Sequence, residues 1–171
     1  MPIMKKLLYI SVFMLISSVA HADEPTLCRD SEKTYFSCSS DIKVISVCLS
    51  ERFDPDSGEL TYRFGRPDKI ELEYSSSYNE LNSKFNFGFF SYAKGSTSEL
   101  SFNIGEYTYT VHRDSHVFRP NTAGVVVERD NKVAAYKKCD NPSFKNEYEL
   151  SDLNDIGFIV GSSRGVGTAG D

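Results

Sequence analysis

The stretch Lys69-Ile70-Glu71-Leu72-Glu73-Tyr74 decides the fold, because every second residue is apolar and the residues between are charged. Side chains of a β-strand alternate between two faces, so this period of two predicts a strand with one buried and one solvated face. The same alternation occurs in Leu60-Thr61-Tyr62-Arg63-Phe64 and in Tyr107-Thr108-Tyr109-Thr110-Val111. We therefore expect a chain built from half-buried strands.

Short turn sequences separate the alternating runs, among them Gly65-Arg66-Pro67-Asp68, Asn103-Ile104-Gly105 and Asp130-Asn131. Consecutive strands joined by such turns pair antiparallel, and no long helical period intervenes that would allow parallel crossovers. The sequence therefore predicts an all-β fold, a single antiparallel β-barrel or sandwich of about eight or nine strands. The predicted strands are residues 33–38, 43–50, 59–64, 69–74, 86–92, 98–103, 106–113, 123–128 and 131–138.

Several stretches interrupt this pattern. Residues 75–83 are polar and rich in serine, which predicts a long surface loop, and the charged residues 112–121 predict a second loop. One helical turn is expected near residues 151–156. We expect residues 23–156 to form the all-β domain and the glycine-rich residues 157–171 to form a flexible tail.

Residues 1–22 are typical of a cleavable secretory signal peptide. Lys5 and Lys6 form its positive end, residues 7–16 its apolar segment, and Ala20-His21-Ala22 its cleavage site. The apolar segment is well short of the roughly 20 residues that a membrane-spanning helix needs. We therefore expect an exported protein, periplasmic or secreted, that has no contact with the membrane once the leader is removed.

The charge of the chain constrains its partners. The 171 residues have a formal net charge of −5, and loss of Lys5 and Lys6 with the leader makes it −7. A nucleic-acid-binding protein needs a dense set of Lys and Arg side chains to displace phosphate counterions, so this class is excluded. An acidic protein instead attracts a cationic protein partner, and the length accommodates one domain.

All four cysteines follow the leader, and an even number of exported cysteines predicts two disulfides. If residues 39–42 turn the chain, Cys48 lies about four positions down the ladder from Cys38, beyond the reach of a disulfide. The preferred pairing is therefore Cys38 with Cys139 and Cys28 with Cys48. The alternative pairs Cys28 with Cys38 and Cys48 with Cys139.

Candidate partner-binding residues lie in two segments. Lys94 and Ser96 belong to a turn-like stretch between two aromatic-rich strands, and loops on a rigid scaffold commonly carry binding residues. The second segment contains two histidines and two arginines in the stretch that we expect to leave a strand. Its candidates are His112, Arg113, His116 and Arg119.

The same residues do not suggest catalysis. His112 and His116 have only Asp114 as a nearby further metal ligand, and no serine lies in a Gly-x-Ser-x-Gly motif. Glu71 and Glu73 share a strand face, as paired glycosidase carboxylates would, but alternating glutamates usually mark a solvated face. We therefore expect a protein that is not an enzyme and needs no cofactor and no metal, and a hydrolase is a distant alternative.

Several short motifs recur in one order over residues 28–139, among them Glu32-Lys33-Thr34-x-Phe36-Ser37-Cys38, Leu60-x-Tyr62-Arg63-Phe64-Gly65 and Ala123-Gly124-Val125-x-Val127. In these motifs the chain resembles a family of small exported bacterial proteins of unassigned function. The resemblance implies export and a single domain, and it adds no chemistry.

Tyr35-Phe36-Ser37-Cys38 and Lys138-Cys139 more loosely resemble the periplasmic inhibitors of C-type lysozymes. Those are small acidic barrels in which an early Tyr-x-Cys strand is disulfide-linked to a C-terminal cysteine. The family's inhibitory Ser-Ala-Ser-Gly-Ala-Arg-Tyr loop and its Trp-containing strand are absent from this chain. The resemblance implies inhibition of lysozyme.

The function that we expect is an exported binding module, an inhibitor candidate for a cationic partner such as lysozyme. The principal alternative is a carrier of a small apolar ligand in a β-barrel. In a carrier, aromatic side chains in the fifth predicted strand and directly before it would line a pocket. They are Phe85, Phe87, Phe89, Phe90 and Tyr92.

Overall fold

The computed structural model describes residues 24–143, 146 and 148–158, and within them the chain forms nine strands. The all-β prediction is thereby confirmed. A short helix, α1 (Leu81–Lys84), and two 3₁₀ helices, Tyr78–Glu80 and Leu150–Ile156, accompany the strands. The strands are β1 (Glu32–Ser40), β2 (Lys43–Ser50), β3 (Glu59–Arg66), β4 (Lys69–Ser77), β5 (Phe85–Tyr92), β6 (Gly95–Ile104), β7 (Tyr107–His116), β8 (Thr122–Arg129) and β9 (Lys132–Lys138).

The strands form two antiparallel sheets, each a simple meander. Strands β1 to β4 make the first sheet in chain order, and strands β5 to β9 make the second. The 3₁₀ helix Tyr78–Glu80 and helix α1 connect the two sheets. The fold is thus sandwich-like, and of the two expected architectures the sandwich is the correct one. No helix among the described residues is long and apolar enough to cross a bilayer.

The core between the sheets is centred on Phe102. Its ring lies 4.9 Å from that of Tyr62, 4.7 Å from that of Tyr74 and 5.2 Å from that of Tyr109, measured between centroids. These four side chains come from β3, β4, β6 and β7, so both sheets contribute to one aromatic cluster. Aromatic pairs at such distances add to the hydrophobic stabilisation of a core.

The stretch that decides the fold lies in β4, but only some of its apolar residues are buried. Leu72 and Tyr74 pack against the core, whereas Ile70, near the start of the strand, is exposed. Strand β4 is an edge of the first sheet, and the outward face carries Glu71 and Glu73 as expected. Glu71 pairs with Lys43 at 2.6 Å.

The outward face of β3 is buried, although alternation predicted a solvated face. Residues 24–31, which we call the N-terminal strap, cover this face of the first sheet. Leu27 donates its backbone N–H to Ser46 Oγ at 3.0 Å, and Ser37 donates its hydroxyl to Pro25 O at 2.7 Å. The strap therefore supplies a second buried layer that periodicity alone does not reveal.

Arg63 lies beneath the strap and is only 3% exposed. Its guanidinium donates to both carboxylate oxygens of Glu32 at 2.6 and 2.9 Å, to Glu73 Oε2 at 2.6 Å and to Leu27 O at 3.2 Å. Burial raises the pKa of the Glu32 carboxyl, but hydrogen bonds from Arg63 and from Arg29 N outweigh it and the pKa lies below its ordinary value. The buried guanidinium of Arg63 thus links the strap, β1 and β4 through its hydrogen bonds.

Two disulfides link the described cysteines, Cys28 with Cys48 and Cys38 with Cys139. The preferred pairing is confirmed and the alternative pairing is wrong. The first bond fastens the strap to β2, and the second fastens β1 to the residue that follows β9. Two disulfides fit an oxidising compartment.

The connection between the sheets differs from the predicted surface loop of residues 75–83. Strand β4 continues to Ser77, and a 3₁₀ helix and α1 follow it directly. Leu81 is 1% exposed and belongs to the core. The serine-rich stretch crosses from one sheet to the other, and on the way its single aliphatic residue anchors it in the core.

The end of the chain also packs further than predicted. Phe158 belongs to the core, and its ring lies 5.5 Å from that of Phe87. Packing therefore extends two residues beyond the predicted end of the all-β domain. The predicted leader, residues 1–22, and residues 159–171 of the predicted tail lie outside the described residues.

Candidate functional site

The two predicted contact segments meet at one end of the second sheet. The tight turn Ala93-Lys94 joins β5 to β6, and residues 117–121 join β7 to β8. Val117 donates its backbone N–H to Lys94 O at 2.9 Å, which extends the β6–β7 ladder into both connections. We call Lys94 and residues 116–119 the loop tip.

The loop tip exposes large apolar side chains on an ordered backbone. Val117 and Phe118 are 74% and 73% exposed, and Phe90 in the adjoining part of β5 is 56% exposed. The Lys94 ammonium lies 4.6 Å from the centroid of the Phe118 ring, within the range of a cation–π contact. A cation and an exposed aromatic ring therefore share one small surface.

Asp114 fixes the arginine of the loop tip. Its Oδ2 accepts hydrogen bonds from the Tyr92 hydroxyl at 3.1 Å, from the Thr97 hydroxyl at 2.9 Å and from Arg119 Nη2 at 3.1 Å. Arg119 also donates to the Tyr92 hydroxyl oxygen at 3.2 Å. The bond to Tyr92 and the charge of Asp114 raise the pKa of the Arg119 guanidinium, which keeps its positive charge.

His116 holds the backbone of the same loop. Its Nδ1 accepts hydrogen bonds from the backbone N–H groups of Phe118 at 3.0 Å and Arg119 at 3.2 Å. Its own backbone N–H is donated to Asn121 Oδ1 at 3.0 Å. These bonds turn the chain sharply after β7, so the side chains of Phe118 and Arg119 are presented in one arrangement.

Three of the six predicted contact residues do not belong to the loop tip. Ser96 is half-buried in β6, in register with Ser91 and Ser115. His112 and Arg113 were predicted at the end of a strand, where the loop begins, but β7 continues to His116 and places both inside the strand. The structure therefore joins Lys94, His116 and Arg119 and separates the others from them.

His112 is 4% exposed and its Nε2 lies 3.2 Å from the Tyr136 hydroxyl. Arg113 is largely buried and forms an ion pair with Glu149, and burial lowers the pKa of its guanidinium. Neither side chain is placed to meet a partner. The physical reason is that backbone pairing with β6 and β8 continues through this polar stretch.

The histidines are poorly placed to share a metal ion. They lie four residues apart on one strand, which separates their backbones by roughly 13 Å. Among the described residues, the potential ligands that lie close together are Cys28, Glu32 and Cys48, and the two sulfurs of that set are bonded to each other.

Sequence reasoning missed Val117, Phe118 and the role of Asp114 in positioning Arg119. The available signal was a pair of apolar residues inside a charged connection, directly before Arg119-Pro120. Most connections run over the surface, so apolar residues there are candidates for contact, unless the connection crosses the core as it does at Leu81. In the carrier alternative Phe90 lines a pocket, but in the structure it is exposed, whereas Phe85 and Phe87 are buried in the core.

Comparisons of the chain with protein-family models, with curated proteins and with solved structures give no match. The two resemblances described above therefore stay predictions, and the candidate site is supported by its own geometry.

Proposed function

We propose that the protein is an exported, periplasmic or secreted binding module that contacts a protein partner through the loop tip. The observation that carries the proposal is the exposure of Val117 and Phe118, at 74% and 73%, on a loop held by His116 and Asn121. Aromatic and arginine side chains contribute most to binding energy at protein interfaces, and Phe118 and Arg119 are neighbours. Two exposed apolar side chains on a rigid connection are typical of such a contact.

The order of this loop favours tight binding. Association costs free energy when side chains and loops must become ordered, and a loop already held in one conformation avoids most of that cost. The bonds to His116 Nδ1, the Asp114–Arg119 pair and the Lys94–Val117 backbone bond hold the loop tip before any partner arrives. This arrangement supports the action of an inhibitor, which must occupy its partner for long periods.

Charge supports a cationic partner that carries a local acidic cleft. The chain without its leader has a formal charge of −7, so its long-range field attracts a basic protein. The loop tip itself carries Lys94 and Arg119, which fit an acidic recess at close range. A lysozyme is a basic enzyme with acidic catalytic residues, and we propose it as the first partner to test.

The test measures residual muramidase activity of C-type and other lysozymes after addition of an equimolar amount of the protein. We expect inhibition of at least one lysozyme at micromolar concentration, weakening as salt is added because charge contributes to association. Absence of inhibition for every lysozyme would remove the inhibitor function and leave a binding module for another partner.

Variants connect the result to the loop tip. Phe118→Ala and Lys94→Ala are expected to weaken inhibition by about tenfold or more, the usual effect of truncating a central interface residue. Lys132→Ala is the matched control, because Lys132 is an exposed lysine at the start of β9, outside the loop tip. Equal losses for Lys94→Ala and Lys132→Ala would show that only overall charge matters and would contradict the proposed surface.

A further inference from the structure

The edge strands of the two sheets differ in how they are protected. An edge strand offers unpaired backbone groups to other chains, and proteins usually guard it with charged side chains. In the described sheets the edges are β1, β4, β5 and β9. Three of these strands carry charges and β5, with the sequence Phe-Asn-Phe-Gly-Phe-Phe-Ser-Tyr, carries none. The charged edge residues are Glu32 and Lys33 in β1, Lys69, Glu71 and Glu73 in β4, and Lys132, Lys137 and Lys138 in β9.

The second half of β5 is apolar and exposed on both faces. Phe85 and Phe87 are buried, but Phe89 and Phe90 are 40% and 56% exposed and point to opposite faces of the sheet. An uncharged edge with exposed aromatic residues on both faces is prone to pair with another strand. In the described part of the chain this surface is exposed to water.

The hydrogen-bonding direction of β5 follows from its neighbours. The Val117–Lys94 backbone bond directs the polar groups of Lys94 toward β7, so those of the next residue, Gly95, point toward β5. Gly95 is in register with Tyr92, and bonding alternates along an antiparallel pair. Tyr92 and Phe90 therefore bond to β6, whereas Phe89 and Ser91 direct their N–H and C=O groups to the free edge.

We propose that this free edge pairs with the same edge of a second copy of the chain. An antiparallel pairing centred on Phe90 places Phe89 opposite Ser91 of the other copy, and these residues exchange the outward N–H···O bonds. The two Phe90 side chains then meet as a non-hydrogen-bonded pair, in which side chains lie closest. Tyr92 lies across from Gly88 of the other copy, where an aromatic ring covers a residue without a side chain.

Symmetry favours a second copy over an unrelated strand. A two-fold axis through the Phe90 pair makes the interface self-complementary, as closed dimers require. Strand β5 introduces no charge repulsion when it meets itself, although the rest of the chain without its leader is acidic, at −7. The pairing joins two five-stranded sheets into one and brings two loop tips to the same assembly. This inference stands independently of the proposed function.

The experiment is sedimentation equilibrium of the oxidised protein, produced with its own leader. Because the paired segment is short, we expect a monomer–dimer equilibrium with a dissociation constant on the order of 10–100 μM. Phe90→Lys places a charge at the centre of the interface and is expected to weaken dimerisation at least about tenfold. Ser91→Pro removes an N–H that β6 does not use, so it is expected to block pairing while leaving the fold intact.

Phe118→Lys is the matched control, since it places the same charge on an even more exposed phenylalanine that lies off β5. We expect this variant to dimerise like the wild type while losing binding through the loop tip, and circular dichroism checks that each variant folds. Wild-type protein that stays monomeric up to about 500 μM, well above the expected constant, overturns the proposal. So does a dimer that Phe90→Lys and Ser91→Pro leave unchanged.

Discussion

His112 illustrates how burial changes what a residue type can do. The sequence places it beside Arg113 in a polar stretch, where a histidine could carry charge toward a partner. In the structure it is buried against Tyr136, and burial lowers the pKa of the imidazole to about 4, although the charge of Asp114 acts in the opposite direction. At neutral pH the side chain is therefore uncharged and belongs to the packing of the sheet.

This burial predicts a pH dependence of the free energy of unfolding. In the unfolded chain His112 takes up a proton near pH 6.5, whereas in the folded chain it does so only near pH 4. Between these values the unfolded state binds more protons, so the free energy of unfolding falls as the pH is lowered and levels off below about pH 4. The pKa difference corresponds to about 3 kcal/mol.

The measurement is urea denaturation at several pH values between 4.5 and 6.5; Glu32, whose pKa is lowered by folding, adds to the slope at the low end of this range in the wild type and the variant alike. The variant His112→Gln is expected to flatten the curve there, because its side chain cannot take up a proton. A slope of the same size in His112→Gln would mean that other groups produce the pH dependence.

Arg63 responds to burial in the opposite way, because it has charged partners. The carboxylates of Glu32 and Glu73 accept its hydrogen bonds, and these bonds keep the guanidinium charged although it is 3% exposed. His112 has a neutral hydroxyl as its partner and loses its charge. The fate of a buried ionisable residue thus depends on its neighbours, which the periodicity of one strand does not reveal.

At the scale of the elements, the alternation of apolar and polar residues predicted the strands well, because successive side chains of a pleated strand point to opposite faces of the sheet. All nine predicted strands overlap an observed strand, and β2 has the predicted bounds. The end of β7 was predicted three residues early because Asp114-Ser115-His116 is polar on both faces. The hydrophobicity of these residues gives no sign of a strand, and the pairing of Gly95 with His116 in the structure is what shows that β7 continues.

The candidate site could be predicted only in part, because sequence patterns do not show which strands pair or in which register. The two segments of the loop tip were recognised from turn residues and charge, so Lys94, His116 and Arg119 were identified. Their meeting depends on the register of β6 and β7, which the sequence does not state. Val117 and Phe118 lie inside the predicted loop of residues 112–121 and were missed because the candidates were chosen by charge and turn residues, not by apolar character.

Gly95 gives the element-scale prediction. A Cβ built on Gly95 would lie 2.2 Å from Ser115 O and 2.8 Å from the ring of Tyr92. Gly95→Ala therefore has to displace the backbone of Ser115 as well as Tyr92, which bonds to Asp114 and Arg119, and we expect it to cost about 1–3 kcal/mol of stability. It is also expected to weaken partner binding through loss of order in the loop tip.

Thermal denaturation and NMR spectra of the loop-tip amides measure the effect of Gly95→Ala. Gly105→Ala is a control for the loss of a turn glycine, because no atom lies within 4 Å of a Cβ at Gly105, although its φ of +58° carries its own strain. Unchanged amide signals of Phe118 and Arg119 in Gly95→Ala would contradict the prediction that packing at Gly95 orders the loop tip.

At the scale of the whole molecule, each sheet pairs strands that are consecutive in the chain. The packing of the two sheets on each other instead requires contacts between residues that are far apart in the sequence. Alternation is the same in a barrel and in a sandwich, so the sequence left that choice open. The contacts that close the molecule join β1 to the residues after β9, through the Cys38–Cys139 bond and the backbone bond from Asp140 N to Ser39 O at 2.8 Å.

The two disulfides are therefore expected to contribute unequally to stability. The Cys38–Cys139 bond joins residues 101 positions apart, and the Cys28–Cys48 bond joins residues 20 positions apart. Restricting the unfolded chain by loops of these sizes corresponds to about 5 and about 3 kcal/mol in the chain-entropy model. Replacing each pair by alanine, which introduces no polar group at positions of which three are buried, is expected to destabilise the protein more for Cys38–Cys139.

Urea denaturation of the two double variants tests this order. The Cys38→Ala, Cys139→Ala variant is also expected to show the larger m-value, because its unfolded chain expands once the long loop is open. The Cys28→Ala, Cys48→Ala variant retains Arg63, Glu32 and Ser46 as anchors of the strap, and we expect the strap to loosen while both sheets stay associated. A greater loss of stability in that variant would mean that the strap, and not the link between first and last strands, holds the sandwich together.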